Sequence, residues 1–176
     1  IKAEKGSEVP VQKEGESRKE HSKAEKAELI TKAKALLDGA DENNLLNWDQ
    51  VSIILQSVQV ASKRVQSELA KEFLFVSNEY IRPGSLGENE IQEWLLILDD
   101  FSANKNLHKK LVNAFFGACE NSIKPGSLGG ETLLRFIKSI REYSGVEETR
   151  QFFAYALLGC CNLKGFKKAS LDGKEV

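Results

Sequence analysis

Pro83-Gly84-Ser85-Leu86-Gly87 recurs 42 residues later as Pro125-Gly126-Ser127-Leu128-Gly129. The fold turns on this pair, because the surroundings recur with it. After the turn, Ile91, Trp94, Leu95 and Leu98 align with Leu133, Phe136, Ile137 and Ile140. Before it, Leu69, Phe73 and Leu74 align with Leu111, Phe115 and Phe116. Two outer copies are partial. Leu46 followed by Val51, Ile54, Leu55 and Val58 has the spacing of the second half, and Leu158-Gly159-Cys160-Cys161 matches Phe116-Gly117-Ala118-Cys119. Ser170 to Val176 resembles Ser127 to Leu133, so the last copy stops after its first apolar position. The outer copies slip by a residue or two, as short insertions in turns allow. Self-similarity at a period near 42 is the mark of a repeat architecture.

Each copy reads as helix, turn, helix. Apolar residues at i, i+3, i+4 and i+7 make one stripe per helix, and no useful length alternates with period 2, so the fold class is all-α. Proline stops the first helix and glycine supplies the turn. Asn47 with Gln50 and Gly87 with Glu90 have capping-box spacing at the start of the second helices, and Ser22 with Glu25 has it at the first. Helices are expected near 23–38, 48–61, 63–80, 88–101, 107–122, 130–143 and 147–161. Ahead of them, residues 1–21 mix Lys, Glu, Ser and Gly with no apolar period, which predicts a disordered charged tail, leaving 22–176 as one all-α repeat domain.

Helix pairs of this length resemble the stacked repeats of HEAT and armadillo proteins, in which neighbouring pairs share a core neither could bury alone. The runner-up is an EF-hand. Gly84, Leu86 and Glu90 resemble the glycine, central apolar residue and terminal glutamate of a calcium loop, with Phe115, Leu133, Phe136 and Ile137 in the place of the flanking helices. The preceding ligand positions depart from it: Glu79, Ile81 and Pro83 in one loop, Asn121, Ile123 and Pro125 in the next, where Thr132 also replaces the glutamate. A hard cation needs six or more oxygens, so an EF-hand reading implies dead metal sites.

Composition narrows function. The 176 residues carry a net charge of −1, with 41% hydrophobic residues, 3 Pro and 3 Cys. That provides for a core and excludes collagen, low-complexity and disulfide-dense classes. No run of about 18 apolar residues is present to span a membrane. Lys63-Arg64, Lys109-Lys110 and Lys164 with Lys167 and Lys168 are small basic clusters that form no continuous stripe, which disfavours nucleic acid. The two histidines, His21 and His108, stand at no motif spacing from a nucleophile, and the phosphate-loop, dinucleotide and metalloprotease patterns are missing. The expectation is a protein that is not an enzyme and takes no cofactor or metal. The chain opens on Ile1 and contains no Met, so a trimmed N-terminus is expected. Cys119 and the adjacent pair Cys160 and Cys161 read as unpaired thiols, which favours an intracellular, reducing compartment.

Two functional classes remain. The first is a protein–protein interaction module or scaffold whose helix layers grip a peptide or helix of another protein. The second is a helical carrier with a cavity for a lipid or other small apolar ligand, drawing on Phe73, Phe75, Phe115, Phe116, Phe152, Phe153 and Tyr155, which are also read as core packing. A calcium-independent EF-hand-like adaptor is the further alternative. The unfinished last unit places the expected partner contact at Tyr155, Leu163 and Phe166. The alternative contact is the surface of Trp94, Asp99 and Asp100, with Trp94 as either an exposed anchor or a core filler.

Overall fold

The computed structural model describes residues 20–124, 126–132, 134, 135 and 138. Five helices are complete: α1 Lys23–Gly39, α2 Trp48–Val60, α3 Lys63–Glu79, α4 Glu88–Asp100 and α5 Lys105–Ser122. A sixth, α6, opens at Gly130. The expected bounds hold within two residues from α1 to α5; the helix expected at 147–161 and most of the charged tail lie outside the described residues.

Caps explain the boundaries. Ser22 Oγ accepts from the Glu25 amide at 3.2 Å while Glu25 Oε2 accepts from the Ser22 amide at 3.0 Å. Asn47 and Gln50 repeat this at 3.0 Å each way. At α4 glycine has no side chain to contribute, so only Glu90 serves, accepting from the Gly87 amide at 3.1 Å. Asn104 Oδ1 starts α5 by accepting from the Leu107 amide.

The turns carry the most regular geometry. Gly84 and Gly126 have φ of 73° and 71°, and the Ser85 and Ser127 amides donate to the Arg82 and Lys124 carbonyls at 3.2 Å each. Proline followed by a positive-φ glycine is the sequence of a type II turn. Each turn then reaches a neighbour. The Leu46 amide donates to the Tyr80 carbonyl and the Leu46 carbonyl accepts from the Arg82 amide, both at 2.8 Å; Leu86 does the same with Ser122 and Lys124, at 2.9 and 2.7 Å. Both bridges, Leu46 with Ile81 and Leu86 with Ile123, are parallel. At the other side of the first turn, Asp41 and Asn44 bond each other instead, at 3.0 and 3.3 Å.

Packing follows the same spacing. Ala33, Phe73 and Phe115 are fully buried at matching places in α1, α3 and α5. Val51, Ile54, Leu55 and Val58 of α2 are buried as Ile91, Trp94, Leu95 and Leu98 of α4 are. The offset is 40 residues in the second case and 42 between the Pro-Gly turns. The two extra residues sit in the connection from α4 to α5, residues 101–104, against 61–62 between α2 and α3. The α3 and α5 helices meet along much of their length. Gly117 allows this: a Cβ there would lie 1.8 Å from Asn78 Oδ1. Gly117 stands 42 residues after Phe75, which is 64% exposed rather than in the core where the aromatic series had placed it. On the helical wheel Phe75 lies between Glu72 and Glu79, on the side of α3 facing water.

Candidate interaction surface

Trp94 is fully buried. Its ring stacks on Phe73 at 5.6 Å, meets Phe115 edge-on at 5.2 Å and lies 6.0 Å from Trp48. As a partner-contact residue Trp94 is therefore corrected to a core residue: an indole enclosed by three aromatic rings offers no surface. Asp99 and Asp100 are exposed at the end of α4, and Asp100 Oδ2 accepts from Gln59 Nε2 of α2 at 3.0 Å. The other expected contacts, Tyr155, Leu163 and Phe166, lie outside the described residues.

The link from Gln59 to Asp100 and the Trp48–Trp94 contact set α2 beside α4. Glu88 and Gln92 then join α4 to α6: Glu88 Oε1 accepts from the Gly129 amide at 2.9 Å and the Thr132 hydroxyl at 2.6 Å, and Gln92 Nε2 donates to Thr132 Oγ1 at 3.0 Å. The outer sides of α2 and α4 thus form one surface. Neither helix contains a Lys, Arg or His. Their acids are Asp49, Glu88, Glu90, Glu93, Asp99 and Asp100; Glu88 and Glu90 are taken up as caps, Asp100 accepts from Gln59, Asp99 acts on His108 of α5, and Asp49 and Glu93 are exposed. In contrast, α1 and α3 balance their charge along the helix, with Lys32 on Glu28 at 2.8 Å and Arg64 on Glu68 at 3.1 Å, and α5 carries Lys105, Lys109 and Lys110. The acidic area ends at α6, where Arg135 meets Glu131 at 3.2 Å and Lys138 is exposed.

Leu96 stands in the middle of this acidic surface, 60% exposed, with Ile53 and Val60 partly exposed on α2. The sequence holds a signal for it. Leu95-Leu96-Ile97-Leu98 are four apolar residues in a row, and a helix cannot turn all four to one side. Leu96 falls on the line of Glu93 and Asp100, at i+3 and i+7 from Glu93.

Elsewhere, a cleft of about 210 Å³ between the starts of α3 and α5 is lined by Lys63, Ser67, Asn104, Asn106, Leu107 and Lys110. Its walls are polar, and Lys110 Nζ lies 3.3 Å from Ser67 Oγ. His108, half-buried on α5, is held below its ordinary pKa of 6.5 by burial, while the charge of Asp99 pulls the other way. Cys119 is buried inside α5. No group of three or more His, Cys, Asp or Glu converges among the described residues, and no helix there is long and apolar enough to cross a membrane. Comparison of the chain with protein-family models, curated proteins and solved structures finds no match.

Proposed function

We propose that this chain is a non-catalytic scaffold of stacked helix pairs, HEAT- or armadillo-like, that binds another protein through an exposed helix layer. The observation that carries the reading is the direction of the turn bridges. Leu46 of one turn bonds the residues flanking Ile81 of the next, and Leu86 of that turn bonds those flanking Ile123 of the third. Among the described residues, residue i of one unit meets residue j of the next, and the reverse contact is not made. This is head-to-tail association, which builds an open array. A pair of EF-hand-like units related by a two-fold axis would exchange the same contact both ways. An open array exposes long helix faces, the usual means by which such proteins hold partners. The carrier alternative draws no support from the cleft at Lys63 and Lys110, whose lining is polar.

Two measurements test this. In a stack, each unit leans only on its neighbours, so native-state hydrogen exchange should show α1 and α2 opening at lower free energy than α3 and α5. A single opening free energy throughout would sink the stacked reading. Affinity capture with the full chain, run beside native mass spectrometry, should recover a protein partner in fixed stoichiometry; a co-purified small apolar molecule and no protein would replace the scaffold by the carrier.

A further inference from the structure

We propose that the cleft between the starts of α3 and α5 binds a phosphate group, held by the ammonium groups of Lys63 and Lys110 and by the Ser67 hydroxyl. The site stands apart from the scaffold reading and needs no protein partner. The two helices run parallel, since Ser67 meets Lys110 near their starts and Asn78 meets Gly117 near their ends. Their starts therefore open on one cleft of about 210 Å³, whose lining includes Lys63, Ser67, Asn106 and Lys110 and no acid. Lys110 is half-buried, with its Nζ 3.3 Å from Ser67 Oγ. A cation drawn back from water is ordinarily paired. Among the described residues neither Lys110 nor Lys63 has a carboxylate partner. Ser67 Oγ accepts from Lys110, and the proton of that hydroxyl has no acceptor among the described residues. Asn106 adds a side-chain amide. Donors thus gather around this space without an acceptor, and an oxyanion supplies what they lack.

The surroundings act in the same direction. The first two turns of α3 and α5 hold Lys63, Arg64, Lys105, Lys109 and Lys110 against Glu68 alone, and Glu68 is taken up by Arg64 at 3.1 Å. Neither helix has an acid in its first turn, and Ser62 gives α3 no side-chain cap bond, so both positive dipole ends remain uncompensated. The nearby carboxylates are engaged elsewhere: Asp100 accepts from Gln59 and Asp99 acts on His108, and neither lines the cleft. The cations stay at this end of the helices. Past Lys71 in α3 and Lys110 in α5 no further Lys or Arg follows, so a polyanionic strand finds no track to run along. One group carrying two negative charges and three acceptor oxygens suits two ammoniums, a hydroxyl and an amide better than a single carboxylate does. A phosphate monoester and free phosphate share that chemistry.

The test titrates the full chain, labelled with ¹⁵N, with inorganic phosphate and with N-acetyl-phosphoserine amide, against sodium chloride at matched ionic strength. Both phosphate compounds should give saturable shifts of the Lys63, Ser67, Asn106 and Lys110 amides and raise Tm. The double substitution Lys63→Gln/Lys110→Gln should weaken binding by at least roughly tenfold and remove the rise in Tm. Ser67→Ala should weaken it less, and Lys34→Gln on α1 should leave it unchanged. Circular dichroism checks that each variant stays folded. Tighter binding of the phosphoserine compound identifies a phosphorylated residue as the natural source, and tighter binding of inorganic phosphate identifies the free ion; either result supports the site. Shifts that chloride reproduces, shifts that never saturate, or a double variant that binds as well as the parent overturn it, and each of these leaves the scaffold reading as it was.

Discussion

Glu88, the first residue of α4, caps α6: its carboxylate accepts from the Gly129 amide at 2.9 Å, 41 residues away. The first two even-numbered helices are served from within by Gln50 and Glu90 at the third position. Thr132 holds that position in α6 and its short side chain is fully buried. The missing carboxylate is lent by α4, two helices earlier in the chain, which turns a local cap into a tie between neighbours.

Glu88→Ala should lower stability by about 1 kcal/mol, the usual size of a lost helix cap. Thr132→Val should cost a similar amount, and the double variant less than the sum, because both remove the same bond. Chemical denaturation of the four proteins measures the coupling; strict additivity would refute the shared cap.

Gly117→Ala should be among the most damaging single-methyl additions. The new Cβ falls 1.8 Å from Asn78 Oδ1 and 3.3 Å from Asn78 Cα, so moving the amide side chain clears only part of the clash. A loss of ~2–3 kcal/mol is expected, seen as a fall in Tm of roughly 5–10 °C. Asn78→Gly in the same chain should restore part of it.

Trp94→Ala should lower stability by about 3–5 kcal/mol through the cavity left among Phe73, Phe115 and Trp48. Trp94→Phe should be far milder. It keeps a ring in the stack and removes an indole N–H that finds no acceptor among the described residues. Equal losses for the two variants would contradict the aromatic packing.

Acidification should weaken the fold through His108. Burial holds its imidazole pKa below the ordinary 6.5, so the unfolded chain takes up the proton first. This contribution is complete above pH 6.5 and is lost as pH falls toward the folded-state value. Asp99→Asn removes the opposing charge, lowers the His108 pKa further and steepens the loss. Tm measured between pH 8 and 5, with an NMR titration of the His108 ring, checks both; a ring titrating above 6.5 would reverse the sign.

Calcium at millimolar concentration should leave Tm and helicity unchanged. Ile81 occupies a would-be ligand position with a buried side chain, and its carbonyl already accepts from Ser122 Oγ at 3.2 Å. A rise of several degrees would restore the EF-hand alternative.

The helices are legible in sequence because their start signals are local. Ser22 with Glu25 and Asn47 with Gln50 each lie within four residues, and the bonds they predict are present. The turns at Gly84 and Gly126 are legible for the same reason. The surface is less so. Tryptophan suits a core and an exposed anchor equally, and only the three rings around Trp94 decide between them. Glu88 reads as an ordinary first-turn acid, since its partner is 41 residues off. Leu96 was within reach, through the four apolar residues in a row, but periodicity alone assigns such a run to the core.

The turn at Asp41 differs from its successor in who completes its hydrogen bonding. The Asp41 N–H and C=O close on Asn44, with the Asn43 amide on Asp41 Oδ1 at 2.8 Å and Asn44 Nδ2 on the Gly39 carbonyl at 2.8 Å. Forty residues on, the Ile81 carbonyl instead accepts from Ser122 Oγ of α5 at 3.2 Å. The first loop is thus self-sufficient and should keep its shape when the distant helices part, whereas the second depends on α5 and should loosen with it.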